Sequence, residues 1–567
     1  MRNSLTCAAV AICAVAFCLG LAGGCSDVGV TRYYDRAAIA CTSPAAAQIG
    51  LEVFEQGGNA FDASIAVAFA LAVVYPQAGN IGGGGFAVIH DGVTGEVSAL
   101  DFRETAPLAA TETMYQDSLG EVIEYASLLG SKAAGVPGTV AGLRTLWEEY
   151  GSLPWEQLVR PAAVLADTGF VVDSVLAVDL ATHRDQLCEF EGSCMAFFPD
   201  GELIRVGQKL QLQDLAGTLF AVAAEGAEGF YEGRTAEKLV ATMERYEGLI
   251  GMEDLARYEA IWRDPVHFQF DGYDIYSMPP PSSGGIALGQ ILKLLEPMDF
   301  AALFPHDPQY IHLFTEAARL AYADRAKHLG DPDFYDVPVT LLEEQYLERR
   351  RQLIDSNDAV PSKNIRAGSP PVAESEETTH ISVSDGDGNM VSLTYTLNTQ
   401  FGCKVMVEGA GFLLNNEMDD FSAKSGVPNV YGLVGGEANK IEPGKRMLSS
   451  MSPTIVLHNG EPRLVLGTPG GSKIITTVAQ ALINLIRFDL EPEEIASQPR
   501  FHHQWLPDQL LLEQGAFDIN TKQELINLGH MIEEREPWCD IQLIYIDDQG
   551  LMAPAADPRR NGESVGH

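Results

Sequence analysis

Hydroxyl side chains crowd one face of a predicted hairpin between Thr378 and Asn398. The runs Thr378-Thr-His-Ile-Ser-Val-Ser384 and Met390-Val-Ser-Leu-Thr-Tyr-Thr-Leu-Asn398 alternate with period two around Asp385-Gly-Asp-Gly-Asn389, the pattern of two antiparallel strands joined by a tight turn. Side chains on a strand point alternately to opposite faces. Thr378, His380, Ser382 and Ser384 therefore share a face, as do Ser392, Thr394, Thr396 and Asn398, while Ile381, Val383, Val391, Leu393, Tyr395 and Leu397 turn the other way. The polar surface is either a solvated sheet face or the floor of a polar site. A threonine hydroxyl there becomes a useful nucleophile only if a base takes its proton.

Other stretches carry groups with definite chemistry. Arg103 ends a predicted strand in Asp101-Phe-Arg-Glu104; its ordinary role is an exposed cation or an ion pair, although a guanidinium fork also suits a carboxylate. Glu417, Asp419 and Asp420 put three carboxylates into four residues. That is a solvated turn or an incomplete metal cluster, but the spacing is not that of an EF-hand loop and no histidine is near, so no metal is expected. Ser282 and Ser283 follow three prolines without the Gly-x-Ser-x-Gly elbow of a serine nucleophile and read as a rigid turn. His502 and His503 are neighbours on an extended segment and point apart, so they read as structural. The run Gly82 to Gly85 lacks a following Lys-Ser/Thr and reads as close backbone approach inside a packed sheet, not as a phosphate loop.

The elements that must position these groups alternate short apolar strands with helical runs from Ile39 onward. Ala63 to Val74 has helix length and is apolar all round, which predicts a buried helix; a second helix is expected from Thr315 to Leu329. Pattern alone gives mixed α and β. The polar segment Asp355 to Glu377 reads as a flexible stretch. With 78 acidic residues against 37 basic ones and a formal charge of −41, the chain repels polyanions, which excludes nucleic acid as a partner. Residues 1–24 read as an export signal: the apolar run Ala8 to Leu21 is short of the ~20 residues a membrane-spanning helix needs. Leu21-Ala-Gly-Gly-Cys25 resembles a lipoprotein cleavage box, with Cys25 as the lipidation candidate and an ordinary small-residue cleavage site as the alternative. In an oxidising compartment Cys188 and Cys194 form the one plausible local disulfide, whereas Cys41, Cys403 and Cys539 read as small buried hydrophobes.

The run Thr-Thr-His-x-Ser-Val-x4-Gly-Asn-x-Val-Ser-x-Thr-x-Thr-Leu-Asn-x2-Phe-Gly closely resembles the signature of the gamma-glutamyltranspeptidases. Further similarities lie in Asp101-Phe-Arg-Glu, Gly411-Phe-Leu-Leu-Asn-Asn-Glu-Met-Asp-Asp-Phe421, Arg446-Met-Leu-Ser-Ser450 and Gly467-Thr-Pro-Gly-Gly-Ser472, so that the resemblance spans about Ile39 to Arg559. It implies an α+β fold of the N-terminal-nucleophile hydrolase type, a four-layer αββα sandwich. It also implies self-cleavage of the Glu377–Thr378 bond into a large chain (25–377) and a small one (378–567) that stay together. Cleavage would place nucleophile and base on one residue, because a free α-amino group has a pKa of about 7.7–8.0.

Within the resemblance Thr396 orients the Thr378 hydroxyl, and the amides of Gly470 and Gly471 form an oxyanion hole. Arg103, Ser449 and Ser450 hold the donor α-carboxylate, while Asp420, with Glu417 and Asn398, receives its α-ammonium. Tyr431, in a Gly-rich loop, is a candidate gate. The activity implied is glutathione hydrolysis and γ-glutamyl transfer to water, an amino acid or a dipeptide, with no cofactor. Two other readings compete. A cephalosporin (glutaryl) acylase would use the same threonine on a donor lacking the α-amine, and a cleavage-defective lipoprotein would only bind peptides.

Overall fold

The structure is a computed structural model and describes residues 31–365, 378–424, 429, 433, 436–560 and 562–567. Residues 1–24, read from sequence as an export signal, and Cys25, residues 366–377 and Tyr431 lie outside the described residues.

Two antiparallel sheets are stacked face to face. In spatial order the first holds Glu563–Gly566, Ala37–Cys41, Thr379–Asp385, Met390–Thr396, Gly84–His90, Val97–Phe102 and Ile261–Arg263. The second holds Met552–Ala556, Gln542–Ile546, Glu461–Gly467, Thr454–His458, Tyr273–Ser277 and Val266–Phe270. Helices Pro44–Glu55, Ala60–Val74, Thr139–Tyr150 and Trp155–Thr168 share a core with Ile39, Ile381, Val391, Leu393 and Tyr395 of the first sheet. Helices Gly284–Leu295, Pro308–His328 and Lys473–Ile486 share another with the second sheet, and that core also takes in Ala38, Ala40, Phe86 and Val88 from the opposite face of the first. Helices outside and two sheets inside make the expected four layers.

The hairpin forms in the register its alternation requires, with Leu393 opposite Ile381 and Val391 opposite Val383, and with Thr394 opposite His380 and Ser392 opposite Ser382. Its polar face is not solvated. His380, Ser382, Ser384, Ser392 and Thr394 are all fully buried between the sheets. Two of the hydroxyls find backbone partners on the facing sheet: Ser392 Oγ donates to the Leu466 carbonyl at 2.8 Å and accepts from the Thr454 amide at 2.9 Å, and Ser382 Oγ donates to the Gln542 carbonyl at 3.1 Å. His380 pairs with Thr394 Oγ1 at 2.7 Å, and burial pushes its pKa down to about 3, so the ring is neutral.

Local sequence explains where the supporting helix begins. Asn59 and Asp62 form a capping box, so the buried helix starts at Ala60, three residues before the apolar run suggested. Asp385, in the hairpin turn, accepts from the Ala60 amide at 2.9 Å and ties the turn to that helix end. The helix expected from Thr315 runs Pro308–His328, opened by the Asp307 cap and a proline in its first turn. The glycine run does pack tightly: a Cβ on Gly83 would lie 2.0 Å from the Thr396 carbonyl oxygen. The segment expected to be flexible is held as far as it is described, with Ser362 bonded to Asp508 and the Val360 amide to Glu316. Cys188 and Cys194 form a disulfide, and Cys41, Cys403 and Cys539 are free and buried. Among the described residues no helix is long and apolar enough to cross a membrane.

Candidate active site

Thr378 immediately precedes the strand Thr379–Asp385. Continuing the ladder one residue past Tyr395↔Thr379 sets Thr378 across from Thr396. Both line one small pocket with Arg103, Asn398, Glu417 and Asp420, and Ser449, Ser450 and Gly471 close its other side. The polar inter-sheet face thus becomes a site floor only at the end where the hairpin leaves the second sheet behind. The Thr378 side chain is buried and makes no hydrogen bond with any described residue. Thr396 Oγ1 accepts from the Asn398 amide at 2.7 Å, a contact helped by the left-handed backbone of Asn398 (φ +78°). In the continuous chain the Thr378 nitrogen is a peptide amide with no basic lone pair; chain scission would turn it into an amine.

The charged wall is a buried ion cluster. Arg103 is 1% exposed; its Nη1 lies 2.6 Å from Glu417 and its Nη2 2.5 Å from Asp420, with Glu104 at 3.7 Å. An exposed cation at a strand end is thereby replaced by a desolvated one that needs its partners. Burial alone would lower the Arg103 pKa, but Glu417, Asp420 and Glu104 outweigh it and raise it. Burial raises Glu104 to about 7 against the pull of Arg103. It raises Glu417 well above the ordinary glutamate value despite the same guanidinium, and it raises Asp420 in spite of Arg103 and Arg325.

The three carboxylates of the acidic motif part company. Glu417–Asp420 is a 3-10 turn, not a solvated loop; Asp419 turns away and accepts from Ser127 Oγ at 2.6 Å, leaving Glu417 and Asp420 on the pocket. Sequence reasoning missed the groups that hold this turn. Asn415 bridges Gly82, Gly135 and the Glu417 amide, Asn416 bonds Leu128 and Thr399, and Asn429 donates to Asp420 at 2.9 Å. Asn415 and Asn416 stood inside the quoted motif, but no one-dimensional signal distinguishes a scaffold amide from a binding one. Glu104 was equally visible beside Arg103, and only its burial reveals its place in the cluster.

Gly470 and Gly471 sit just before helix Lys473–Ile486 with φ of +133° and +53°. Neither amide donates to a described acceptor, and the helix N-terminus adds its partial positive charge. A Cβ on Gly470 would lie 2.3 Å from Cys539 Sγ, so the buried cysteine fills the space behind the loop. Ser449 and Ser450 are fixed from the other layer: the Ser449 carbonyl accepts from the Ser283 amide and hydroxyl at 2.8 and 2.6 Å. Ser282 likewise donates to the Met451 carbonyl at 2.6 Å; both serines of the proline turn are committed to architecture.

The histidines lie elsewhere. His502 bonds Thr476 and Gln504, and His503 faces Asp508 at 3.4 Å. Among the described residues, His312, Glu316 and His530 bring one ligand-type atom each within 4.8 Å of the others, remote from the pocket. There His312 is hydrogen-bonded to His530 at 2.8 Å and to the Asp355 carbonyl at 2.7 Å. Glu316 ion-pairs with Arg319 at 3.2 Å, so its carboxylate already has a cationic partner.

A family model for gamma-glutamyltranspeptidase matches residues 46–567. The chain is 46% identical over 523 residues to a glutathione hydrolase proenzyme of Escherichia coli, covering 92% of this chain and 90% of that one. It is 45% identical over 535 residues to one of Pseudomonas aeruginosa, covering 93% and 94%. Among solved structures, a cephalosporin acylase from Bacillus halodurans superposes with a TM-score of 0.85 at 28% identity, covering 95% of this chain and 97% of that one. Helicobacter pylori gamma-glutamyltranspeptidase gives 0.57 at 45% identity, covering 58% and 94%. With a family model over residues 46–567 and relatives 45–46% identical over more than nine-tenths of the chain, the chain belongs to the gamma-glutamyltranspeptidase family.

Proposed function

We propose that this protein is a self-processing glutathione hydrolase and γ-glutamyltransferase whose nucleophile is Thr378. The observation that carries the reading is one pocket in which Thr378 faces Thr396 and meets both a cation, Arg103, and an anion, Asp420. Those charges complement a free amino-acid end: Arg103 with Ser449 and Ser450 takes the α-carboxylate, and Asp420 with Glu417 and Asn398 takes the α-ammonium.

Cleavage of the Glu377–Thr378 bond frees the Thr378 amine. That amine accepts the hydroxyl proton as Oγ1 attacks the γ-carbonyl carbon, and the amides of Gly470 and Gly471 receive the developing oxyanion. The amide C–N bond breaks, the proton passes to the leaving amine, and a γ-glutamyl ester remains on Thr378. Water then attacks the ester carbonyl to release glutamate, or an acceptor amine attacks it to form a new γ-glutamyl amide. The large and small chains stay associated as a heterodimer, and Tyr431 is proposed as a gate. Export by residues 1–24, with or without lipidation at Cys25, fits the short apolar leader and the Cys188–Cys194 disulfide.

The acylase reading draws support from the superposition on a cephalosporin acylase. Asp420 argues against it, since a glutaryl donor has no ammonium to pair with that carboxylate. The test compares a γ-glutamyl anilide with the matching glutaryl anilide: preference for the first by two orders of magnitude or more is expected, and equal turnover of the two would overturn the proposal.

A further inference from the structure

Arg325 stands on helix Pro308–His328, in the outer layer beneath the second sheet, and is 4% exposed. Among the described residues no carboxylate lies within ion-pair distance of it, unlike Arg103, Arg319 or Arg500. Its contacts are two hydroxyls: Nε donates to Ser283 Oγ at 2.8 Å, and Nη2 donates to Ser450 Oγ at 3.1 Å. Ser283 in turn donates to the Ser449 carbonyl. Both serines proposed to receive the α-carboxylate are therefore held by one buried cation, Ser450 directly and Ser449 through Ser283.

The direction of these bonds matters. A guanidinium only donates, so it occupies a lone pair of Ser450 Oγ and leaves that hydroxyl's own hydrogen to point elsewhere. Ser450 lines the pocket shared by Arg103 and Thr378, and an acceptor there would receive that hydrogen. Charge points the same way. Arg103 shares its charge with Glu417 and Asp420 at 2.6 and 2.5 Å, whereas Arg325 has no carboxylate at ion-pair distance among the described residues and feels Asp420 only from farther off. Burial pulls the Arg325 pKa down to about 10, with Tyr322 and Asp420 pulling it back up; the group stays charged at neutral pH but lacks a counter-ion that a bound carboxylate would supply.

We propose that Arg325 is a positioning residue that confers selectivity for an anionic α-carboxylate on the donor, acting through Ser450. The inference rests on the donor-site reading above. The decisive experiment uses the processed enzyme and two donors, a γ-glutamyl anilide and its α-carboxamide analogue, with wild type, Arg325→Met, Arg325→Lys, Ser450→Ala and Arg325→Met/Ser450→Ala. Arg325→Met should raise KM for the carboxylate donor about tenfold with kcat changed less than about threefold, and leave KM for the carboxamide donor unchanged. Arg325→Lys should recover part of the loss, and Arg325→Met should add less than about twofold once Ser450 is alanine.

Equal KM increases for both donors, an unchanged KM for the carboxylate donor, or multiplicative effects of the two substitutions would overturn the inference. If Arg325→Met does not process, Arg325→Lys decides alone: a KM rise of about threefold confined to the carboxylate donor supports it, and any donor-independent change sinks it. A wild-type enzyme indifferent to carboxylate or carboxamide would overturn the donor-site assignment itself. Wild-type selectivity retained in the arginine variants would overturn only the role of Arg325.

Discussion

Arg103 Nη2 and Asp420 Oδ2 lie 2.5 Å apart, so the cation and the anion assigned to opposite ends of the donor are paired with each other. A zwitterion entering the pocket must separate them and replace the lost contact with two of its own. A ligand with only one of the two charges would leave a buried charge unpaired, which costs about 2–5 kcal/mol. Selectivity for a free amino-acid end follows from that cost.

Asp420→Asn should therefore raise KM for a γ-glutamyl anilide by about 30-fold or more while improving the relative use of a glutaryl anilide, measured as the ratio of kcat/KM values. A proportional loss on both donors would remove Asp420 from the ammonium site.

Thr378→Ala should remain a single chain by intact mass and lose turnover by more than about 10³-fold. Both readouts depend on one hydroxyl, so a variant that processes normally yet stays inactive would separate nucleophile from self-cleavage and contradict the mechanism.

Gly470→Ala should lower kcat by about 10² or more, because its Cβ meets Cys539 Sγ and its φ of +133° excludes ordinary side chains. Adding Cys539→Ala should restore yield and melting temperature by removing the clash but leave kcat low, since the backbone requirement persists. Full recovery of kcat in the double variant would mean that space alone, and not amide direction, fixed the loop.

Burial holds Glu104 protonated up to about pH 7, above the value of 4.5 for a free glutamate. Between those two values the native chain keeps a proton that the unfolded chain has released, so this group's contribution to stability is fully present below pH 4.5 and is lost as pH rises toward 7. Each unit in that window costs about 1.4 kcal/mol at most from this group. Glu104→Gln should flatten the fall in Tm between pH 5 and 7; an unaltered slope would show that Glu104 is ionised throughout.

The sequence exposed the hairpin, the residues sharing each of its faces and most of the polar residues of the pocket, because period-two alternation and a long gapped motif are both one-dimensional. What covers a face is not. Thr394 and Ser392 have the same spacing whether water or a second sheet lies above them; only the folded chain gives Ser392 the Leu466 carbonyl of the facing sheet and Thr394 the His380 ring beside it. Arg325 was hidden for a related reason. Its helix carries His312, Glu316, Arg319 and Asp324 buried alongside it, so no solvated stripe marks any one of them as unusual. Asp419 and Asp420 are adjacent letters with opposite fates, set by which carboxylate the 3-10 turn aims at Arg103.

The strand order has a consequence for the chain after the proposed cut. Residues on either side of the Glu377–Thr378 bond do not segregate: Ala37–Cys41 lies between Glu563–Gly566 and Thr379–Asp385, Met390–Thr396 lies against Gly84–His90, and Thr454–His458 lies against Tyr273–Ser277. The two polypeptides would be interwoven like the teeth of one comb, and parting them would mean unzipping both sheets. Dilution should not separate them short of global unfolding, and once unfolded the pieces would have lost the connectivity that first threaded them together. The cut would leave a durable native state that can be reached only once.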